Sequence, residues 1–247
     1  MVALLELIWG PGYMAPGGEG NVLRMVRGLD LEGARVLDIG CGIGGPACLL
    51  AGRHGARVVG IDLEAPLVER ARRRARELGV DGRAEFRVVE PGPLAFPDAR
   101  FDLVLSSGAL TQTPDKPAVY RECLRVLAPG GWLSTYDWMK PPGDYSPDMR
   151  AWFELEGLSY HMDTPADTQR LLCETGFEAV RVEDRSPWYR RRVRQEYEAL
   201  RGELYPRVVE LLGRAQADHF VEDWRVMARV CEKGEMLQVY SRGRRPA

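Results

Sequence analysis

The stretch VLDIGCGIGGPACLL, residues 36–50, limits what this chain can fold into more than any other. An apolar run meets closely spaced glycines and then an apolar segment of helical character, so a buried strand has to turn sharply into a helix. The first backbone N–H groups of such a helix point at whatever lies above the glycines. Gly40, Gly42 and Gly45 satisfy the GxGxxG spacing of a dinucleotide site, and Asp38, Gly40, Gly42 and Gly44 equally satisfy the DxGxGxG spacing of an S-adenosylmethionine site. The glycines alone leave both open.

Apolar runs recur at 34–40, 57–62, 84–90, 101–106 and 131–138, separated by amphipathic stretches at 45–53, 65–79 and 116–128, the last ending at APGG. This alternation predicts an α/β domain of parallel strands joined by right-handed helical crossovers, with the ligand crevice at the carboxyl ends of the strands. After residue 138 the rhythm changes. MKPPGDYSP reads as a loop, followed by helices near 147–158 and 164–175, a strand at 177–184, a long polar helical region at 188–231 and a last strand at 236–241. The long region exceeds what a simple strand connection needs. It predicts a helical cap, residues 187–231, inserted into a Rossmann-like domain made of residues 1–186 and 232–247.

Charge separates the two glycine readings. A diphosphate above the turn would place like charge beside a carboxylate two residues before the first glycine, whereas an ammonium and a sulfonium are both attracted to it. Asp38 stands there, which favours the methyl donor. Asp62, closing the second strand run, is placed to accept from ribose hydroxyls, and Glu90, closing the third, to accept from an adenine amino group, with Pro91 beside the ring. Leu63 and Ser106 complete the expected cofactor contacts.

VLDIGCGIGG, VVGID, FDLVLSSGAL and ECLRVLAPGG together resemble the class I S-adenosylmethionine-dependent methyltransferases over residues 34–140. That resemblance implies a doubly wound, Rossmann-like seven-stranded sheet whose last strand is antiparallel. Upstream, IWGPGYMAPGGEGNVLRM resembles the FG-x-x-Y-x-S-x-GG segment of phosphoethanolamine (phosphobase) N-methyltransferases, which implies that Tyr13, Met14, Gly17 and Gly18 cover the methionine part of the cofactor. The tyrosine and histidine pair of those enzymes is missing: Gln112 stands at the histidine position, Gly108 at that of an aspartate, and Leu158 near that of a phosphate-gripping arginine. Tyr160 matches a neighbouring tyrosine.

Methyl transfer from a sulfonium needs orientation and exclusion of water more than a metal or a covalent nucleophile, so no metal is expected. The acceptor is expected beside Ser106, Ser107, Gln112, Tyr136, Asp137 and Trp138, under a roof in which Trp138, Trp152, Phe153, Tyr160, Trp188 and Tyr189 concentrate. Such rings stabilise an ammonium product by cation–π attraction, and they equally serve as the core of a cap. Gln112, Trp138, Tyr160 and His161 are the candidate catalytic residues, with His161 as base or hydrogen-bond partner. His54 and His219 read as structural.

A net charge of −2 gives no global field for polyanions, and SSGAL replaces the [DN]PP[YFW] turn of nucleobase amino-methylases. RARRRARE at 70–77 reads as a solvated helix face, while RRRVR at 190–194 borders the cap and suits an anionic substrate group. The five cysteines form no CxxC pair, a reducing, cytoplasmic pattern, and MVALLELIWG is too short and too acidic for a membrane span or a secretion signal. The expected partner is a small-molecule acceptor, most simply an amine, without nucleic acid or membrane, for a monomer or homodimer. An oxygen, carbon or sulfur acceptor, a cofactor-binding protein without turnover, and a nicotinamide oxidoreductase are the competing readings.

Overall fold

The apolar runs become seven strands: β1 (Arg35–Ile39), β2 (Arg57–Asp62), β3 (Ala84–Val88), β4 (Phe101–Ser107), β5 (Leu127–Met139), β6 (Glu178–Asp184) and β7 (Leu237–Arg244). In the computed structural model, which describes all 247 residues, they form one sheet in the order β3-β2-β1-β4-β5-β7-β6. β7 pairs antiparallel with both β5 and β6, and every other pairing is parallel. The expected sheet is therefore present, antiparallel last strand included.

Two boundaries differ from expectation for physical reasons. β5 starts at Leu127, because LAPGG stays extended as an irregularity in the register with β4, so α5 (Lys116–Val126) ends at Val126. β3 stops at Val88, which leaves Glu90 and Pro91 in an exposed loop.

Helices α3 (Gly45–Arg53) and α4 (Ala65–Glu77) pack on one face of the sheet, with α2 (Gly18–Met25) beside them, and α5 and α7 (Pro165–Thr175) pack on the other. Local sequence explains the helix starts. Ser146 and Thr164, each followed by proline, accept from Met149 N–H at 3.0 Å and Asp167 N–H at 3.1 Å, opening α6 (Pro147–Glu156) and α7.

Residues 187–231 fall in three helices, α8 (Ser186–Arg201), α9 (Tyr205–Leu212) and α10 (Arg214–Glu232), with chain breaks at Gly202 and Gly213. They do not pack alone. Their apolar faces share one core with α1 (Val2–Trp9) through Leu4, Ile8 and Trp9, and with α6 through Met149 and Trp152. The opening segment MVALLELIWG is thus a short amphipathic helix of the cap, and no helix of the structure is long and apolar enough to cross a membrane.

Pairing register fixes which side chains share the sheet face above α2 and below α8. Asp38 lies opposite Leu105, Ser107 opposite Tyr136, Tyr136 opposite Tyr240, and Trp138 opposite Gln238. Because side chains alternate along a strand, these project from one face, and Ser106, Thr135 and Ser241 project from the other.

A buried carboxylate ties the cap together. Glu196 on α8 is 4% exposed and accepts from Trp9 Nε1 at 2.9 Å, Trp224 Nε1 at 3.4 Å and Arg192 Nε at 2.9 Å. Glu196→Ala leaves two buried indole N–H groups without an acceptor, a loss of about 2–4 kcal/mol. Differential scanning calorimetry should find Tm lowered by about 4–15 °C for a chain of this size; an unchanged Tm would mean that α1 and α10 are held by apolar packing alone.

Candidate active site

The turn between β1 and α3 is built by backbone contacts that leave no room for side chains. A Cβ on Gly44, whose φ is +83°, would lie 2.9 Å from the Ala71 side chain and 3.0 Å from Phe86, so this glycine lets α4 and β3 close on the turn. A Cβ on Gly45 would lie 2.2 Å from the Gly12 carbonyl oxygen, which accepts from Gly45 N–H at 3.0 Å. The first helical N–H of α3 is therefore taken by the N-terminal loop. Gly44, expected to touch the cofactor, also allows the helix to pack here.

That loop lies over the glycines as a lid. Gly12 N–H donates to Glu6 Oε1 at 2.7 Å, and Glu6 is also paired with Arg74, which takes Arg74 out of the freely solvated arginine face expected for residues 70–77. Tyr13, Met14, Ala15 and Gly18 from the lid, with Gly40, Cys41, Gly42 and Pro46 from the turn and Ser107 from β4, enclose one pocket. Burial, followed by the nearby Glu19 carboxylate, pushes the Tyr13 phenol up to about 12, so it is neutral in ordinary buffers.

Asp38 is the electrostatic centre. It is 1% exposed, and neither carboxylate oxygen has a hydrogen-bond partner. Burial and then the Asp62 carboxylate push its pKa up to about 7. Asp62 is partly exposed at the end of β2; it accepts from Gly42 N–H at 2.8 Å and Glu64 N–H at 3.0 Å, which leaves lone pairs for a diol. Leu63 next to it is 55% exposed, an apolar side chain left on the surface at that strand end. Val89 N–H donates to the Asp62 carbonyl at 3.0 Å, which puts Glu90 beside that strand end although its side chain and Pro91 are solvent-exposed.

These residues fit S-adenosylmethionine and not a dinucleotide. An unpartnered buried carboxylate suits an ammonium, while a diphosphate would meet Asp38 and find the α3 N–H already bonded to Gly12.

Ser106 requires a correction. It is fully buried on the far face and donates to the Ile39 carbonyl at 3.0 Å, so it ties β4 to β1; Ser107, one residue on, faces the pocket. Sequence reasoning also passed over Asn21 and Lys116. Asn21, 4% exposed on α2, donates to Ser107 Oγ at 3.5 Å and accepts from the Tyr240 hydroxyl. Lys116, 7% exposed, donates to the carbonyls of Thr113 and His161 and so fastens the Tyr160 loop to the turn after β4. The signal for Asn21 was a polar residue on the apolar face of a helix; for Lys116 there was none.

On the acceptor side, Asp137, pushed up to about 7 by burial, accepts from Thr111 N–H at 3.1 Å and anchors the turn that carries Gln112. The side chains of Gln112 and His161 are exposed; His161 N–H donates to the Thr111 carbonyl at 2.9 Å, so both lie at one rim and neither enters the aromatic cluster. Within that cluster Trp152 stacks on Tyr160 with centroids 5.1 Å apart, and Trp138 meets both edge-on at 5.4 and 5.8 Å. Trp152, Tyr160 and Tyr189 are packed core, and Trp138 is half-buried. In the RRRVR run, Arg192 and Arg194 pair with Glu196 and Glu232 and are not free for an anion.

Comparison with known proteins agrees with this geometry. Residues 37–135 match a family model described as methyltransferase domain. The chain is 34% identical to phosphoethanolamine N-methyltransferase 3 of Arabidopsis thaliana over 199 residues, covering 80% of this chain and 40% of that one. It is 33% identical to sterol 24-C-methyltransferase erg6 of Aspergillus fumigatus over 192 residues, covering 72% of this chain and 50% of that one. Among solved structures, phosphoethanolamine N-methyltransferase 2 of Haemonchus contortus, in complex with phosphomonomethylethanolamine and S-adenosylhomocysteine, superposes with a TM-score of 0.92 at 22% identity, over all of this chain and 57% of that one. The chain thus spans half or less of the length of these two curated relatives, and the structural likeness, at 22% identity, concerns the fold.

Two outcomes follow from Asp38. Its pKa is raised on folding, so the folded state holds the extra proton between about pH 4 and 7 and unliganded stability falls as pH rises through that window. Asp38→Asn should raise Tm at pH 8 in the absence of ligand. It should also weaken S-adenosylhomocysteine at least about tenfold, as expected for a lost charged hydrogen bond, and abolish the gain in wild-type affinity between pH 6 and 8. Calorimetric titration across pH checks both, and a pH-independent wild-type affinity would remove Asp38 from the ammonium site.

Proposed function

We propose that this chain, which carries a class I S-adenosylmethionine-dependent methyltransferase domain, methylates the nitrogen of a small amine. The observation that carries the donor half is the buried, unpartnered Asp38 beneath the lid. Similarity to phosphoethanolamine N-methyltransferases supports the acceptor half. S-adenosylmethionine supplies an activated methyl group: as the new N–C bond forms, the methyl–sulfur bond breaks, its electron pair stays on sulfur as S-adenosylhomocysteine, and the amine's proton leaves to solvent.

In this reading Asp38 holds the ammonium of the amino-acid part, Asp62 accepts from the ribose hydroxyls, and Leu63, Glu90 and Pro91 flank the adenine. Tyr13, Met14 and Gly18 close over the methionine part and keep water out, which matters because the transfer needs a desolvated, in-line approach. Trp138 presents its half-buried ring and Tyr160 supports it, stabilising the cationic product. Gln112 and His161 meet the acceptor at the rim. No carboxylate lines the pocket to take a proton from the acceptor, so the acceptor nitrogen has to arrive uncharged, with its lone pair free.

Similarity to a sterol C-methyltransferase supports a carbon acceptor as the second reading. Four of the five cysteines are buried free thiols, which supports a reducing, cytoplasmic setting.

The test is mass-spectrometric detection of S-adenosylhomocysteine and methylated product after incubation with S-adenosylmethionine and a panel of phosphoethanolamine, ethanolamine, glycine derivatives, aromatic amines, phenols and sterols. At least one amine should be methylated, and Trp138→Ala should lower its kcat/KM about tenfold or more, the scale of a lost cation–π contact. Methylation of only phenols or sterols would overturn the amine reading; cofactor binding without any turnover would make the chain a binding protein.

A further inference from the structure

Two side chains between the sheet and α8 have buried polar atoms with no partner, the Tyr136 hydroxyl and Gln238 Oε1, and beside them Trp138 Nε1 has no partner at full hydrogen-bond geometry, with the Tyr189 hydroxyl near it. Tyr136 is 0% and Gln238 1% exposed. The register makes them one group. Tyr136 and Trp138 are two residues apart on β5, Gln238 lies opposite Trp138 on β7, and all three project from the face that carries Asp38 and Ser107. Ser107 borders the cofactor pocket directly opposite Tyr136, and Asp38 stands two strands away, about 10 Å across the sheet at ordinary strand spacing. One face therefore carries an unpartnered carboxylate under the donor's expected amino-acid part and, beyond Ser107, an unpartnered hydroxyl and amide oxygen beside an indole N–H. Buried polar groups of this kind are normally paired, and each missing partner calls for a ligand or an ordered water.

We propose that Tyr136 and Gln238, which the catalytic reading above does not use, form with Trp138 the polar floor that orients the acceptor's nucleophilic group. The inference rests on the methyl-transfer reading for the direction from which the methyl arrives. Its chemistry is specific. Gln238 Oε1 accepts an N–H, Tyr136 Oη either donates or accepts, and Trp138 Nε1 donates to a second polar atom of the same molecule. None of the three side chains is charged, so the floor itself offers no counter-ion to a cationic guest, and of the charged groups that act on Tyr136 the Glu196 carboxylate is offset by the Arg185 guanidinium. The floor fits an uncharged primary or secondary amine that carries a second hydrogen-bonding group, so these are positioning residues that also select the neutral form.

The opposite face supplies the control. Ser241 Oγ is also buried without a partner, but it projects away from the site. Tyr136→Phe and Gln238→Leu are compared with Ser241→Ala for Tm, S-adenosylhomocysteine affinity, and both binding and kcat/KM of whichever panel amine binds the S-adenosylhomocysteine-loaded wild type most tightly. The two floor variants should each weaken amine binding and raise KM roughly 3- to 10-fold, the scale of one uncharged hydrogen bond. Their kcat should change less, their S-adenosylhomocysteine affinity should stay within about twofold, and Ser241→Ala should match the wild type. If Tyr136→Phe does not fold, Gln238→Leu alone decides. Amine binding without turnover removes the methyl-transfer reading but keeps the floor if the variants weaken that binding. Unchanged amine binding in the floor variants overturns the floor, as does a wild type that binds no amine in the panel.

Discussion

The rest of the structure is arranged around one unfavourable feature, a carboxylate buried at Asp38 with nothing bonded to it. A group in that state raises its own pKa and those of its neighbours: burial first, and then Asp38, push the Cys41 thiol up, and at Cys48 burial raises the thiol, Arg74 lowers it and Asp38 adds to the rise. Folding tolerates the strain because the surrounding backbone cannot move away from it. β1 is held on both sides by β2 and β4, Ser106 fastens β4 to the Ile39 carbonyl, and the turn that follows is closed by glycines against α4 and the lid. In the proposed reading, part of the stability lost at Asp38 is recovered when a cationic ligand pairs with it.

The lid connects that centre to the cap. α1 carries Glu6, which bonds the Gly12 backbone and Arg74 on the cofactor side, and Trp9, which donates to Glu196 on the cap side. Trp188 of α8 crowds Gly17 on the lid, where a Cβ would lie 2.9 Å from the indole. Asn21, on the helix after the lid, reaches Ser107 and Tyr240 on the sheet. Donor pocket, lid and cap are thus one packed unit. A helix of eight residues serves as the strut between them, and alone it would be too short to be stable in water.

Much of this was legible in the sequence because it depends on local pattern. The strand and helix alternation, the sheet with its antiparallel last strand, the lid tyrosine and the glycine turn follow from periodicity, from spacing and from the family resemblance. What failed did so at the level of tertiary pairing. Ser106 and Ser107 are adjacent and chemically alike, and only the pairing of β4 with β1 and β5 decides which one faces the pocket. The extension of β5 through LAPGG, the exposure of His161 and the ion pairs that occupy Arg192 and Arg194 are likewise outcomes of what packs alongside. A chain read residue by residue has no access to them.

The same distinction explains why the donor side is easier to assign than the acceptor side. The residues proposed to contact the donor come from consecutive positions in two strand-to-turn junctions, where the backbone itself sets the geometry, as at Gly42 N–H and Asp62. The residues proposed to meet the acceptor come from a sheet face shared by β4, β5 and β7 and from a cap assembled from α1, α6 and α8–α10, so each one's role depends on partners distant in sequence. The aromatic roof illustrates this: six rings suggested a cation box, yet Trp152 and Tyr160 use their faces on each other, and Trp138, packed edge-on to both, is the half-buried member of that cluster. A protein can therefore keep the donor machinery of a relative acting on a phosphorylated amine, or of one acting on a sterol, and change its acceptor by altering which polar atoms on β5 and β7 go unpaired. On that physical ground the unpaired atoms of the sheet face carry more information about the acceptor than the filled roof above them.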